Sequence, residues 1–212
     1  MLNVPQHTLY DTRDGNSYVV RKLADGNCWM TENLRIQGKA LDSSDSDLPS
    51  GATFTLPASG VNTFCATSNY ANCDGRANVL NSNNAQHPEY GTYYNWYAAT
   101  AGYGKYATII EPVYSICPKN WSLQSKSQVE NLYSIYGSKT SMQQSVGPNY
   151  TLAGYTGSGN TLYDQGVWGL YWESTPGSNG DAYAIRTNAD VFLPSFSGYQ
   201  KYWGFPIRCV AK

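Results

Sequence analysis

Two histidines, five cysteines and a scatter of carboxylates are all that this chain offers to nucleophilic, acid–base or metal chemistry. A hydrolytic nucleophile needs a base held beside it. His7 sits near a chain end expected to fray and His87 directly precedes Pro88, so neither suits that role and no catalytic residue is assigned. Cys28, Cys65, Cys73, Cys117 and Cys209 contain no C-x-x-C pair, which excludes the usual zinc spacings. Cys65 and Cys73 bracket a polar loop suited to a local staple. A bridge between Cys117 and Cys209 would close a long loop, contributing about 4–5 kcal/mol in the chain-entropy model. Two bridges would imply an oxidising compartment; the other reading is five buried thiols in a reducing one. Hard cations want roughly six to eight oxygens. Asp42, Asp45 and Asp47 share a loop but read as a solvated acidic turn, and the run from Asp11 to Asn16 misses EF-hand spacing. No bound metal and no cofactor is expected.

Aromatic surface is what the chain has in excess. It carries 19 Tyr, 6 Trp and 20 Gly, with 14% charged residues against roughly 25% in an ordinary soluble protein. Tyr, Ser, Gly and Asn are the residues that binding loops favour, because Tyr gives large amphipathic contact with few rotatable bonds. The same residues also suit a β-rich protein with many turns. The net charge is −1 with no Lys/Arg cluster, so the footprint of a nucleic-acid or anionic-membrane binder is missing. No stretch reaches the roughly 18–20 apolar residues of a membrane span, and direct membrane insertion is not expected. Met1-Leu2-Asn3 does not begin a signal peptide, so an exported form is expected to have had its signal or anchor removed.

The elements that must position these residues read as one domain over 1–212. Asp14-Gly15 and Asp25-Gly26-Asn27 are turn signals on either side of the β-rich run Ser17 to Leu23, predicting a hairpin. Residues 38–90 are rich in Ser, Asn, Gly and Asp and broken by Pro49, Pro57 and Pro88, and read as a long irregular surface insertion. Tyr93 to Ala99 predicts a short helix ending near Gly102. A second helix has Ser125 and Gln128 as a capping box, Val129, Leu132, Tyr133 and Tyr136 on one face, and Gly137 as its stop. From Gly147 onward the pattern is short strands separated by Gly/Pro/Ser turns.

Several ordered strings resemble one family: Asp11-Thr12-Arg13-Asp14-Gly15-Asn16-Ser17-Tyr18, Cys28-Trp29-Met30-Thr31-Glu32-Asn33-Leu34 and Tyr90-Gly91-Thr92-Tyr93-Tyr94-Asn95-Trp96. Cys117-Pro118-Lys119-Asn120-Trp121, Tyr171-Trp172-Glu173-Ser174-Thr175 and Gly204-Phe205-Pro206-Ile207-Arg208-Cys209-Val210 complete the set. Together they are similar to the Fibrobacter succinogenes major paralogous domain, a surface-protein domain related to C-type-lectin-like and formylglycine-generating-enzyme-like folds. The resemblance implies an α+β, C-type-lectin-like fold with two helices flanking a small twisted antiparallel sheet, and N- and C-terminal strands brought together. It places Cys117 and Cys209 as a bridged pair, which with Cys65–Cys73 leaves Cys28 as a buried free thiol. Formylglycine-generating enzymes employ two cysteines near the last motif, whereas only Cys209 stands there, so an enzyme is not expected. Calcium-dependent lectins of this fold use Glu-Pro-Asn with Trp-Asn-Asp; Glu111-Pro112-Val113 breaks the first and the second is absent.

Proteins of the wider fold include variable proteins of diversity-generating retroelements, whose C-terminal segment is rewritten to make new binding faces. Positions 166–210 are similar, with family-like strings surrounding residues of miscellaneous character. Trp29, Trp96, Trp121 and Trp172 lie inside the strings and are assigned to the core. Trp168, Leu170, Phe196, Tyr199, Tyr202 and Trp203 are assigned to ligand contact, with Glu173, Arg186, Asn188 and Asp190 as orienting polar groups. The expected function is non-catalytic recognition of a protein or glycan ligand outside the cell, on a cell surface or on a virion surface. The alternatives are a formylglycine-generating-type oxidase and a structural surface or fibre domain.

Overall fold

The computed structural model describes residues 5–58, 79–81, 87–106, 113–157, 161–177 and 180–212. In chain order the strands are β1 (Gln6–Tyr10), β2 (Ser17–Lys22), β3 (Cys28–Met30), β4 (Lys39–Asp42), β5 (Thr53–Leu56), β6 (Val79–Asn81) and β7 (Thr92–Tyr94). They continue with β8 (Trp121–Leu123), β9 (Tyr155–Thr156), β10 (Leu162–Tyr163), β11 (Trp168–Pro176), β12 (Asp181–Asn188), β13 (Phe192–Gln200) and β14 (Cys209–Ala211). The helices are α1 (Trp96–Ala99), α2 (Lys126–Tyr136) and α3 (Lys139–Gln143).

Strand outweighs helix, and the expected α+β, C-type-lectin-like arrangement of two helices around one small sheet is overturned. Among the described residues the strands fall into five sheets, and of the three α-helices only α2, with 11 residues, runs beyond five. The aromatic run expected to be a short helix is divided: Tyr93 and Tyr94 belong to β7, and only Trp96–Ala99 make a single helical turn, followed by Ala101 (φ 49) and Gly102 (φ 83) in left-handed backbone. Residues 38–90 are not simply an irregular insertion. Lys39–Asp42 and Thr53–Leu56 pair as a hairpin, Val79–Asn81 pairs with β7, and Leu41, Leu48, Leu56 and Val79 join the main core. The expected Cys65–Cys73 bridge lies outside the described residues.

Other local signals lead to the elements they predict. The turn after β1 closes with Asp11 N–H donating to Asn16 O at 2.8 Å, and His7, expected to fray, pairs with Val20. Ser125 and Gln128 form the capping box of α2, and Gly137 ends it in left-handed conformation. The α2 face carrying Val129 and Leu132 packs with Tyr133 and Tyr136 into a second core containing Trp29, Tyr150, Tyr171 and Phe192.

The five-stranded sheet has the order β1-β2-β3-β14-β8, so both ends of the chain meet in it. Cys117 and Cys209 are joined by a disulfide across 92 residues, both sulfurs fully buried. Cys28 is a free thiol, half-buried rather than buried as expected. The sheet β11-β12-β13 separates the two cores. Because strand residues alternate faces, Leu170, Trp172, Ala182 and Ala184 belong to the main core, while Tyr171, Ile185 and Phe192 belong to the second.

Arg208 ties the ends of the chain to the middle. Only 1% exposed, it donates to Asn33 Oδ1, to Met30 O and Pro148 O at 3.3 and 3.0 Å, and to Asn149 O at 2.8 Å. Its four acceptors satisfy a charge that burial would otherwise penalise heavily.

Candidate aromatic recognition cleft

Strands β11, β12 and β13 are long, and their cleft-side positions come from residues of opposite character. Trp168 and Leu170 on β11, Arg186 on β12, and Phe196 and Tyr199 on β13 line one open cleft of about 240 Å³, completed by Trp203, Tyr155 and Asp164. Period-two alternation puts Arg186 on the same face as Ala184 and Ala182, and Trp168 and Leu170 on the same face as Trp172. One side of the sheet thus continues from the core out into the cleft.

The rings form a row. From Tyr163 through Tyr155, Trp203 and Tyr199 to Phe196, successive centroids lie 5.5, 5.4, 5.8 and 5.5 Å apart. Tyr199 also meets Phe205 edge-on at 5.2 Å, and Phe205 stacks on Trp172 at 4.1 Å. The row is therefore anchored in the core at one point and open along its length, with Tyr163 and Phe196 exposed by 41% and 38%. Tyr199 and Trp203 are half-buried, and Tyr199 is on β13.

The electrostatics centre on Arg186. Its guanidinium lies 4.2 Å above the Trp168 ring and 5.4 Å from that of Phe196. Such stacking holds the cation while leaving its in-plane N–H donors unspent. Neither the Arg186 guanidinium nor the Asp164 carboxylate forms a hydrogen bond or ion pair among the described residues. Burial pushes the Tyr199 hydroxyl up to about 12, opposed by Arg186. Burial, with Asp164 and Tyr163 adding, also raises Tyr155. Both remain neutral hydroxyls at ordinary pH.

Four expected contact residues lie elsewhere. Glu173 is fully buried, next to Trp172 on an alternating strand, and its Oε1 accepts from Ser195 Oγ at 3.3 Å. It is not a surface contact. Asn188 is spent on the β12–β13 turn, where its Oδ1 accepts from the N–H groups of Asp190 and Val191 at 2.8 and 2.9 Å. Asp190 is at that exposed tip, and Tyr202 donates to Gln200 Oε1. None of the four lines the cleft. Trp121, assigned to the core, is half-buried on the edge strand β8.

The sequence does not single out Tyr155 and Asp164 because they precede the C-terminal segment, Tyr155 on β9 of the short β9–β10 ribbon and Asp164 just after β10. The available signal was Gly154 and Gly157 bracketing a lone Tyr. Gly154 N–H donates to Trp168 O at 2.6 Å, and Thr156 and Gly204 exchange two 2.9 Å bonds, which clamps Tyr155 against the cleft. Gly154 has φ +74, and a Cβ there would sit 2.3 Å from Tyr163 O. Gly154→Ala should therefore lower stability by about 2 kcal/mol and loosen Tyr155. Chemical denaturation checks this, and an unchanged midpoint would remove the ribbon's claim to hold the cleft.

Among the described residues no three His, Cys, Asp or Glu side chains gather where they could hold a metal. Asp42 accepts from Ser44, Asp45 from Ser46, and Asp47 pairs with Lys212 at 2.6 Å. No described helix is long and apolar enough to cross a membrane. In comparisons with known proteins the chain matches no family model, no curated protein and no solved structure, so the reading of the cleft rests on its own geometry.

Proposed function

We propose that this protein is a non-catalytic recognition domain that binds a macromolecular partner, protein or glycan, through the aromatic cleft on the β11-β12-β13 sheet. The observation that carries the reading is the convergence of Trp168, Arg186, Phe196, Tyr199 and Trp203 with Tyr155 on one open face. Aromatic and Arg side chains in such positions are the usual anchors of interfaces, and stacking fixes these before any partner arrives. Work outside the cell fits the Cys117–Cys209 disulfide, since such bonds persist in oxidising compartments. A formylglycine-type oxidase would need Cys209 as a reactive thiol, but its sulfur is buried and bonded. Within the same proposal, the miscellaneous positions of 166–210 are those a retroelement would rewrite; a nearby reverse transcriptase and a near-copy of that coding stretch differing at adenines would support it.

The test is a screen of immobilised glycans and surface proteins with the parent and with Phe196→Ala and Arg186→Met. Truncating an anchor should weaken binding by about 2 kcal/mol, while the surface change at Phe196 shifts stability by only about 0.5 kcal/mol. Partners that bind parent and both variants equally would overturn the assignment. Loss of self-association in the variants would point instead to a structural fibre or surface domain.

A further inference from the structure

Resting on that reading, we infer that the cleft's ligand is a neutral glycan, held with its sugar rings along the aromatic row and its hydroxyls between Arg186 and Asp164. The argument is one of complementarity. Arg186 offers only donors and the Asp164 carboxylate only acceptors, and both are unspent. The two charges leave the lining with a net charge of zero. An anion drawn to Arg186 meets Asp164, and a cation drawn to Asp164 meets Arg186. A hydroxyl both donates and accepts, so a ring carrying several of them satisfies both groups without bringing charge. The Tyr155 and Tyr199 hydroxyls, neutral at ordinary pH, add two more groups of the same dual character.

The rest of a sugar ring matches the walls. Its C–H face is weakly positive and lies well on the negative face of an aromatic ring. A cleft of about 240 Å³ is small against the roughly 300–1,000 Å³ of drug-sized pockets, so it takes a unit or two rather than a bulky group. The row of rings at 5.4–5.8 Å spacing runs on beyond it to Tyr163. That extension suits a chain of rings better than an isolated monosaccharide. An acidic peptide would satisfy Arg186 alone and leave Asp164 repelling it.

Calorimetric titration with cellohexaose, mannohexaose and a galactohexaose, alongside hexagalacturonate and a hexaglutamate peptide, tests the inference. At least one neutral hexaose should bind, with affinity unchanged by a calcium chelator and by raised salt, since no charge is neutralised. Phe196→Ala, Arg186→Met and Asp164→Asn should each weaken it by roughly tenfold or more, with thermal unfolding showing that each variant is folded. No heat from any neutral hexaose at about 10 mM, where even weak recognition is visible, overturns the inference. So does tighter, salt-sensitive binding of hexagalacturonate or hexaglutamate, or loss of sugar binding in chelator. If sugars fail while a protein partner still depends on Phe196 and Arg186, the neutral glycan falls and the recognition role stands. If no partner of any kind depends on the cleft, both fall.

Discussion

Trp172→Ala should lower the unfolding midpoint by about 10 °C, corresponding to a loss of roughly 3–5 kcal/mol. Trp172 has no exposed surface. Its ring stacks on Phe205 at 4.1 Å, and its Nε1–H donates to Tyr94 O at 2.8 Å. Truncation leaves a cavity the size of an indole and takes one of two donors from the Tyr94 carbonyl, which keeps the Phe205 N–H at 3.0 Å, so the cavity carries most of the cost. The same side chain underlies the cleft, because Phe205 is the ring against which Tyr199 and Trp203 rest. Ligand binding should therefore fall with stability in Trp172→Ala, whereas Phe196→Ala separates the two. Calorimetric unfolding measures the first effect. A midpoint within a degree or two of the parent would mean that Phe205 is supported by other contacts.

Removing the Cys117–Cys209 bridge, as Cys117→Ala/Cys209→Ala, should cost about 4–5 kcal/mol, since the disulfide closes a loop across 92 residues. The largest share of that effect acts on the unfolded chain, which regains the freedom the bridge denied it. Denaturant unfolding of the oxidised parent and the double variant gives the difference. Peptide mapping without reductant should recover the two cysteines in one linked species and find Cys28 alkylatable after unfolding. Cys117 and Cys209 both labelled in the unreduced protein would sink the prediction.

The features legible in the sequence were those fixed within a few residues of themselves. Ser125, Gln128 and Gly137 specify α2 because a capping box and a left-handed stop act on one turn of backbone. The turns at Asp14-Gly15 and Asp25-Gly26 are equally local. Sheet partners are not, since a three-residue strand such as Cys28–Met30 carries too little pattern to name its neighbour. That is why residues 38–90 read as irregular although strands within them pair, and why the sequence understates strand against helix. The cleft shows the same division. Trp168, Leu170, Arg186, Phe196, Tyr199 and Trp203 could be picked out by being aromatic, apolar or charged within one segment. Glu173 could not be excluded from them without knowing that β11 turns its residue after Trp172 inward. Tyr155 and Asp164 needed the tertiary contact of a ribbon that the C-terminal segment does not contain.

Strand β14, three residues long, lies between β3 and β8 in the five-stranded sheet. On a ribosome those neighbours emerge long before residues 209–211 do, and until then each presents an open edge to whatever is nearby. The sheet thus closes only once residues 209–211 are made, with contacts far apart along the chain and correspondingly slow to form. A chain broken off just short of Cys209 would lack the closing strand, the disulfide and the Arg208 side chain's immediate support at a stroke. The open edge of β3 and a β8 without the β14 strand it pairs with would mark it for chaperones or proteases, so the sheet is safe from them only after residues 209–211 have joined it.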